Sequence, residues 1–143
     1  MSPKGPHGWI LSLLLLVTVA CLVQHCEGSA YQGFLKRHLD NPKSDFGNSN
    51  NYCYQMMRRK GLRCQRGNTF IHTSEALLKS LVCTSRGRVL QGNVTSKTMF
   101  PLTICKIKRR LRKLWCRYKG KTAIKRIRVT CDKGLPVHFI SHV

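Results

Sequence analysis

Apolar and polar positions alternate with different periods along this chain. Behind Lys4, the run from Trp9 to Val23 carries no charge, and small residues follow at Gly28 and Ala30. A basic residue, a short apolar run and small residues at its end predict a secretory leader over residues 1–28, cleaved near 28–30. The run is too short to span a membrane comfortably. A signal anchor is the alternative, although no second apolar stretch follows.

A helical period begins next. Tyr31, Phe34, Leu35 and Leu39 fall at i, i+3, i+4 and i+8 and predict an amphipathic helix that Asp40-Asn41-Pro42 ends. His38 lies four residues beyond Phe34, on or beside the buried stripe, where a plain packing role competes with a place in a cleft. After a polar loop from Lys43, a second helix is predicted from about Asn51 to Lys60, with Cys53, Met56 and Met57 inward and Gly61 as the stop. A third is predicted from Glu75 to Cys83, capped by Ser74 and packing Leu77, Leu78, Leu81 and Val82, with Arg86-Gly87-Arg88 closing it.

Between the second and third helices, Asn68–His72 alternates as a strand does. Beyond Arg88 the period is two, over Thr98–Ile107, Leu114–Lys119, Ile124–Cys131 and Val137–Ile140. Ile127, Val129 and Cys131 alternate with Arg126, Arg128 and Thr130, giving one apolar and one charged face. Helices early and antiparallel strands late make an α+β domain over residues 29–143. Asn93-Val94-Thr95 is a glycosylation sequon in a polar stretch that reads as a loop.

Cysteine usage adds covalent restraint. Loss of the leader removes Cys21 and Cys26 and leaves Cys53, Cys64, Cys83, Cys105, Cys116 and Cys131. Six cysteines in a small exported chain imply three disulfides, with about 15 pairings open on spacing alone. No two of them lie closer than eleven residues, so paired metal-ligand spacings are missing and no metal or other cofactor is expected. His142, four beyond His138 in a strand-like tail, does not change this.

Charge selects the class of partner. The chain holds 26 Lys and Arg against 5 Asp and Glu, a net charge of +21. Losing Lys4 and Glu27 with the leader leaves that value unchanged. Twelve of the bases fall between Lys106 and Arg128 with no acid among them: Lys106, Lys108, Arg109, Arg110, Arg112, Lys113, Arg117, Lys119, Lys121, Lys125, Arg126 and Arg128. A solvated face is the plain reading, but the surplus exceeds what solubility requires, and it favours RNA, heparin-like glycans or anionic membranes. Of Trp115 and Tyr118, which interrupt the run, one is expected in the core and the other free to stack on bases or rest among lipid headgroups. So high a charge also favours a monomer.

Three blocks then stand in order: Phe34-Leu35-Lys36-Arg37-His38-Leu39-Asp40, Cys64-Gln65-Arg66-Gly67-Asn68-Thr69-Phe70-Ile71-His72, and Leu135-Pro136-Val137-His138-Phe139. With Tyr52-Cys53, Met56-Met57 and the six-cysteine frame, they resemble the pancreatic-type ribonuclease (ribonuclease A) superfamily, most closely its angiogenin-like branch, from Tyr31 to the end. The resemblance implies a V-shaped antiparallel sheet with three helices around a cleft. It also implies disulfides Cys53–Cys105, Cys64–Cys116 and Cys83–Cys131, without the fourth bridge that most such ribonucleases carry.

For function, it implies cleavage of RNA on the 3′ side of pyrimidines, with His38 as base and His138 as acid. One imidazole must accept a proton while the other gives one, and histidine is the side chain whose ordinary pKa allows both states near neutrality. Arg37, Asn68, Thr69 and Phe139 would hold substrate, Thr69 through its backbone N–H and hydroxyl, while His72 would be structural. Gln65 stands where the family has lysine, so the charged donor to the phosphoryl oxygens is gone and turnover should be weak. Arg66 is the obvious substitute, but alternation in an extended segment turns it away. Ile140 stands where the family has the aspartate that orients the acid histidine.

The resemblance leaves two further readings open: a non-catalytic cationic host-defence protein, and a signalling ligand that binds cell-surface glycans or a receptor. Arg58-Arg59-Lys60-Gly61-Leu62 resembles the segment angiogenins use for nuclear import, although a basic helix end facing its own dipole explains it equally.

Overall fold

The computed structural model describes residues 29–112 and 115–143, the side chains of 110–114 excepted. The expected leader lies outside the described residues.

Helix α1 is described over 29–38. Its apolar stripe buries Tyr31, Phe34 and Leu35, as the period requires. The helix stops where the backbone joins the sheet: Leu39 bridges Ile71, and Asp40 N–H donates to the Ile71 carbonyl at 3.0 Å. His38 is thereby fixed at the junction of helix and sheet.

Helix α2 (Ser49–Arg59) starts two residues earlier than expected because Asn48 caps it, accepting from Asn51 N–H at 2.8 Å. Gly61, at φ 70°, turns the chain out of it. Helix α3 (Glu75–Leu81) is capped by Ser74 as expected, but it ends at Leu81 and buries only Leu78 of its own residues. Leu77 and Leu81 are exposed, so the expectation that both pack fails, because a two-turn helix presents only one edge to the core.

The strands are β1 (Gly67–Ile71), β2 (Thr84–Ser85), β3 (Arg88–Val89), β4 (Gly92–Thr95), β5 (Phe100–Arg112), β6 (Trp115–Lys125), β7 (Ile127–Asp132) and β8 (Leu135–His142). They form antiparallel sheets β1-β5-β6 and β4-β7-β8, with the small hairpin β2-β3. Arg86-Gly87-Arg88 does not merely close α3: Arg86 (φ 51°) and Gly87 (φ 75°) form the turn of that hairpin. Ile124 belongs to β6 and not to the strand of Ile127, since the ladder breaks at Arg126. Three residues apart, Ile124 and Ile127 cannot share a face of one continuous strand. Asn93 lies in β4, not in a loop.

Two apolar clusters hold these layers. One joins Phe34 and Leu35 of α1 and Leu78 of α3 to Ile71, Phe100, Leu102, Ile127 and Val129, and so packs both large sheets together. The other sets Tyr52, Met56 and Met57 of α2 against Phe70, Cys105 and Tyr118. Tyr118 is the core aromatic of the basic run and Trp115 the exposed one. Disulfides Cys53–Cys105, Cys64–Cys116 and Cys83–Cys131 tie α2 to β5, the approach to β1 to β6, and the end of α3 to β7, the pairing that the resemblance implied. Three helices, antiparallel sheets and three disulfides make the ribonuclease A-like α+β fold.

Candidate active site

A cleft of about 980 Å³ runs between α1, the approach to β1, β5 and β8. His38 enters it from α1 while remaining 7 % exposed, with the rings of Phe34 and Phe139 centred 5.0 and 5.1 Å from its own. Its Nδ1 lies 2.9 Å from the Thr69 carbonyl. A carbonyl only accepts, so Nδ1 carries the hydrogen and Nε2 keeps a free lone pair. Burial lowers the His38 pKa to about 4; the Thr69 carbonyl pulls the other way, and the Arg37 charge lowers it further. At neutral pH His38 is therefore an uncharged base.

His138, from β8, lines the same cleft and is exposed. Among the described residues no hydrogen bond fixes its ring, and Ile140, also exposed, offers none. Phe139 packs between His38 and the core of the two sheets.

The segment opposite is anchored by its backbone. Cys64 takes φ 63° and is bridged to Cys116; Gln65 N–H donates to the Leu62 carbonyl at 3.1 Å, and the Gln65 carbonyl accepts from the Tyr118 hydroxyl at 2.7 Å. Gln65 is held at the rim of the cleft, exposed and uncharged. Arg66 also lines the cleft, contrary to the alternation argument. That argument needs an extended segment, whereas Arg66 sits in a bend and β1 begins only at Gly67. Gly67 is itself required there, because a Cβ would overlap the Cys105 carbonyl of the neighbouring strand.

Asn68 lines the cleft, but its Nδ2 donates to the Arg37 carbonyl at 2.7 Å, so its amide holds α1 against β1. Thr69 is buried at the cleft wall, and Arg37 is exposed at its edge. Behind the wall, His72 bonds the Asp40 carbonyl through Nδ1 at 2.8 Å and Thr103 Oγ1 through Nε2 at 2.7 Å. Asp40 in turn accepts from the Tyr52 hydroxyl at 2.5 Å, so His72 serves the scaffold.

Lys106 lines the cleft, while Lys108 and Arg109 are exposed further along β5. Arg126 and Arg128 are exposed beside and within β7, and the side chains of Arg110, Arg112 and Lys113 lie outside the described residues. Asn93 is exposed, and its Oδ1 accepts from the Thr130 hydroxyl at 2.9 Å. His142 was missed by sequence reasoning as a member of the site, yet it lines the cleft. Its alternation with His138 and Ile140 was the available signal.

Known proteins match this arrangement along nearly the whole described chain. The family described as "Pancreatic ribonuclease" matches residues 29–140. A ribonuclease of Chelonia mydas is 38% identical over 113 residues, 76% of this chain and 94% of that protein. An angiogenin of Gallus gallus is 39% identical over 136 residues, 92% of this chain and 91% of that one. In three dimensions, the crystal structure of green turtle egg white ribonuclease overlays with a TM-score of 0.69 at 33% identity, covering 80% of this chain and 98% of that one. The chain therefore belongs to the pancreatic ribonuclease family, with both ribonucleases and angiogenins among its relatives.

Proposed function

We propose that this protein is a secreted, strongly cationic endoribonuclease of low turnover, whose affinity for RNA and other polyanions outweighs its catalytic rate. Residues 1–28 are its leader and 29–143 its single mature domain. The observation that carries the reading is the state of His38: buried, neutral and presenting a free Nε2 to a cleft that His138 also enters.

In the reaction, His38 Nε2 takes the proton of the ribose 2′-hydroxyl. The 2′-oxygen attacks the adjacent phosphorus, the bond from phosphorus to the 5′-oxygen breaks, and protonated His138 gives its proton to that oxygen, leaving a cyclic phosphate. Thr69 and Phe139 place a pyrimidine beside the reacting phosphate, and Arg37 contacts a phosphate oxygen. Charge on the phosphoryl oxygens rises as the bond forms. Gln65 meets it with a neutral donor where the family has a cation, and losing one preorganised donor typically costs about 10²–10³ in rate. Cleavage of a pyrimidine-containing RNA that disappears in His138→Ala supports this assignment; cleavage that persists in the His38→Ala/His138→Ala double variant defeats it.

A second reading draws on Trp115, 59% exposed at the head of β6 amid the basic run. An exposed indole flanked by cations suits the headgroup layer of an anionic bilayer. Leakage from vesicles rich in anionic lipid that survives loss of both cleft histidines but falls in Trp115→Ala supports this host-defence role.

A further inference from the structure

The sequon Asn93-Val94-Thr95 plays no part in lining the cleft, yet the fold sets it close by. β4 is an outer strand of its sheet and pairs with β7 alone. Its residues alternate: Val94 packs against the core cluster, while Asn93 and Thr95 are exposed on the opposite face. Val94 is the register partner of buried Val129, and Asn93 of Thr130, so both strands turn the same faces in and out.

The ladder carries the outer face across the sheet. Thr130 is the register partner of Asn93 on one side and of His138 on the other. Bulges flank the second pair, but Val129 with Phe139 and Thr130 with His138 are consecutive and lie between them. Directly paired residues of an antiparallel ladder share a face, so Asn93, Thr130 and His138 form one row across β4, β7 and β8. Two strand spacings set Asn93 and His138 about 10 Å apart. His138 lines the cleft and Asn93 does not, so Asn93 stands outside the rim on the side of β4.

The amide of Asn93 is held in a state that suits modification. A glycan attaches to asparagine at a sequon, through the amide nitrogen. Here Oδ1 is the engaged atom, accepting from the Thr130 hydroxyl at 2.9 Å, and among the described residues Nδ2 has no partner. The planar amide therefore turns Oδ1 towards β7 and Nδ2 towards solvent. Replacing one Nδ2 hydrogen by a sugar leaves the bond to Thr130 in place, and that bond restrains the root of the glycan on the face of His138.

We infer that Asn93 carries an N-linked glycan, and that this glycan is a one-sided size filter on the His138 edge of the cleft. A dinucleotide stays within the cleft and is untouched. In the mechanism proposed above His138 gives its proton to the leaving 5′-oxygen, so the crowded side is the one on which the RNA continues from that oxygen. Chain added ahead of the pyrimidine leaves by the other side.

This inference rests on the reading of the cleft as a ribonuclease site. The full chain, secreted from a eukaryotic cell, is compared with Thr95→Ala, which removes the sequon but keeps Asn93 and its bond to Thr130. The parent should carry a mass that an endoglycosidase leaving one sugar on Asn93 removes almost entirely; a parent with the polypeptide mass alone overturns the modification. Three substrates read the filter: a pyrimidine dinucleotide, the same lengthened beyond the 5′-oxygen, and the same lengthened ahead of the pyrimidine. The glycosylated parent should equal Thr95→Ala on the first and third and show a severalfold lower kcat/KM on the second, and the endoglycosidase should restore it. That treatment alone makes the comparison if Thr95→Ala is not secreted. Equal rates on all three substrates, an equal loss on all three, or a loss confined to the third overturn the filter. Absence of RNA cleavage in every form overturns the catalytic reading by itself, and the filter is then read from binding: the uncleavable 2′-deoxy forms of the three substrates should show the same one-sided loss of affinity, and uniform affinities overturn it.

Discussion

His38 donates its Nδ1 hydrogen to the carbonyl of Thr69 across 2.9 Å, joining the last turn of α1 to the middle of β1. The bond fixes the tautomer, and burial under Phe34 and Phe139 keeps the ring uncharged with its pKa at about 4. In the mechanism proposed above, cleavage needs His38 neutral and His138 protonated. The acid limb of kcat/KM for RNA should therefore lie well below 6.5, towards about 4, leaving activity on the acid side of neutrality. A pH–rate profile in low salt measures it; an acid limb at or above 6.5 refutes the role of burial.

Stability should follow the same ring. Folding lowers the His38 pKa, so between 6.5 and about 4 the unfolded chain binds more protons and stability falls with pH. Full protonation removes roughly 3 kcal/mol. Asp40 acts in the same direction. Burial opposes its lowered pKa, but hydrogen bonds from Tyr52 and Ser44 outweigh it, and their contribution is lost as acid protonates the carboxylate. Denaturant midpoints from pH 7 down to pH 4 should decline, with a shallower decline in His38→Leu.

Replacing Gln65 by lysine should raise RNA cleavage at least tenfold, mainly in kcat, because the gained charge acts as negative charge builds on the phosphoryl oxygens. The Tyr118 hydroxyl and the Leu62 carbonyl hold the backbone of this residue independently of its side chain, so the variant should fold as the parent does. Steady-state kinetics on a pyrimidine dinucleotide provide the measure. An unchanged rate, with His138→Ala inactive, would mean that another cation, with Arg66 now placed at the cleft, already supplies the charge.

Much of this was legible from the chain. The period of Tyr31, Phe34 and Leu35 gave α1, and the caps Ser74 and Gly61 marked helix ends. The three blocks around His38, Gln65 and His138 carried fold and site together. What escaped depended on backbone direction: the bend at Arg66, the break at Arg126 and the Arg86-Gly87 turn each reset the alternation on which face assignments rest. His142 escaped for a related reason, since the cleft it lines is built from α1, β1 and β5, which lie far from it in the sequence.

The Asn68 amide, donating to the Arg37 carbonyl at 2.7 Å, should matter to both fold and rate. Asn68→Ala removes one hydrogen bond, costing about 1 kcal/mol of stability. It also frees the end of α1 that carries His38, so RNA cleavage should fall further than the loss of folded protein accounts for. Chemical denaturation and kcat measured on the same preparation separate the two effects.

Gly120→Ala tests the contact between α2 and β6. Gly120 N–H donates to Asn50 Oδ1 at 2.9 Å, and an added Cβ would overlap the Ser49 carbonyl and press on the sulfur of Cys53. Ser49 is the first residue of α2, and Cys53 is bridged to Cys105 on β5, so neither can yield without shifting helix against sheet. Overpacking of this kind costs about 1–3 kcal/mol. The variant should melt lower than the parent, while Gly33→Ala, where a Cβ meets nothing within 4 Å, should melt at or above the parent value because alanine favours the helix by about 1 kcal/mol. The comparison isolates close backbone approach from the loss of a glycine as such: equal melting temperatures for the two variants would show that α2 rides freely over β6 at Gly120.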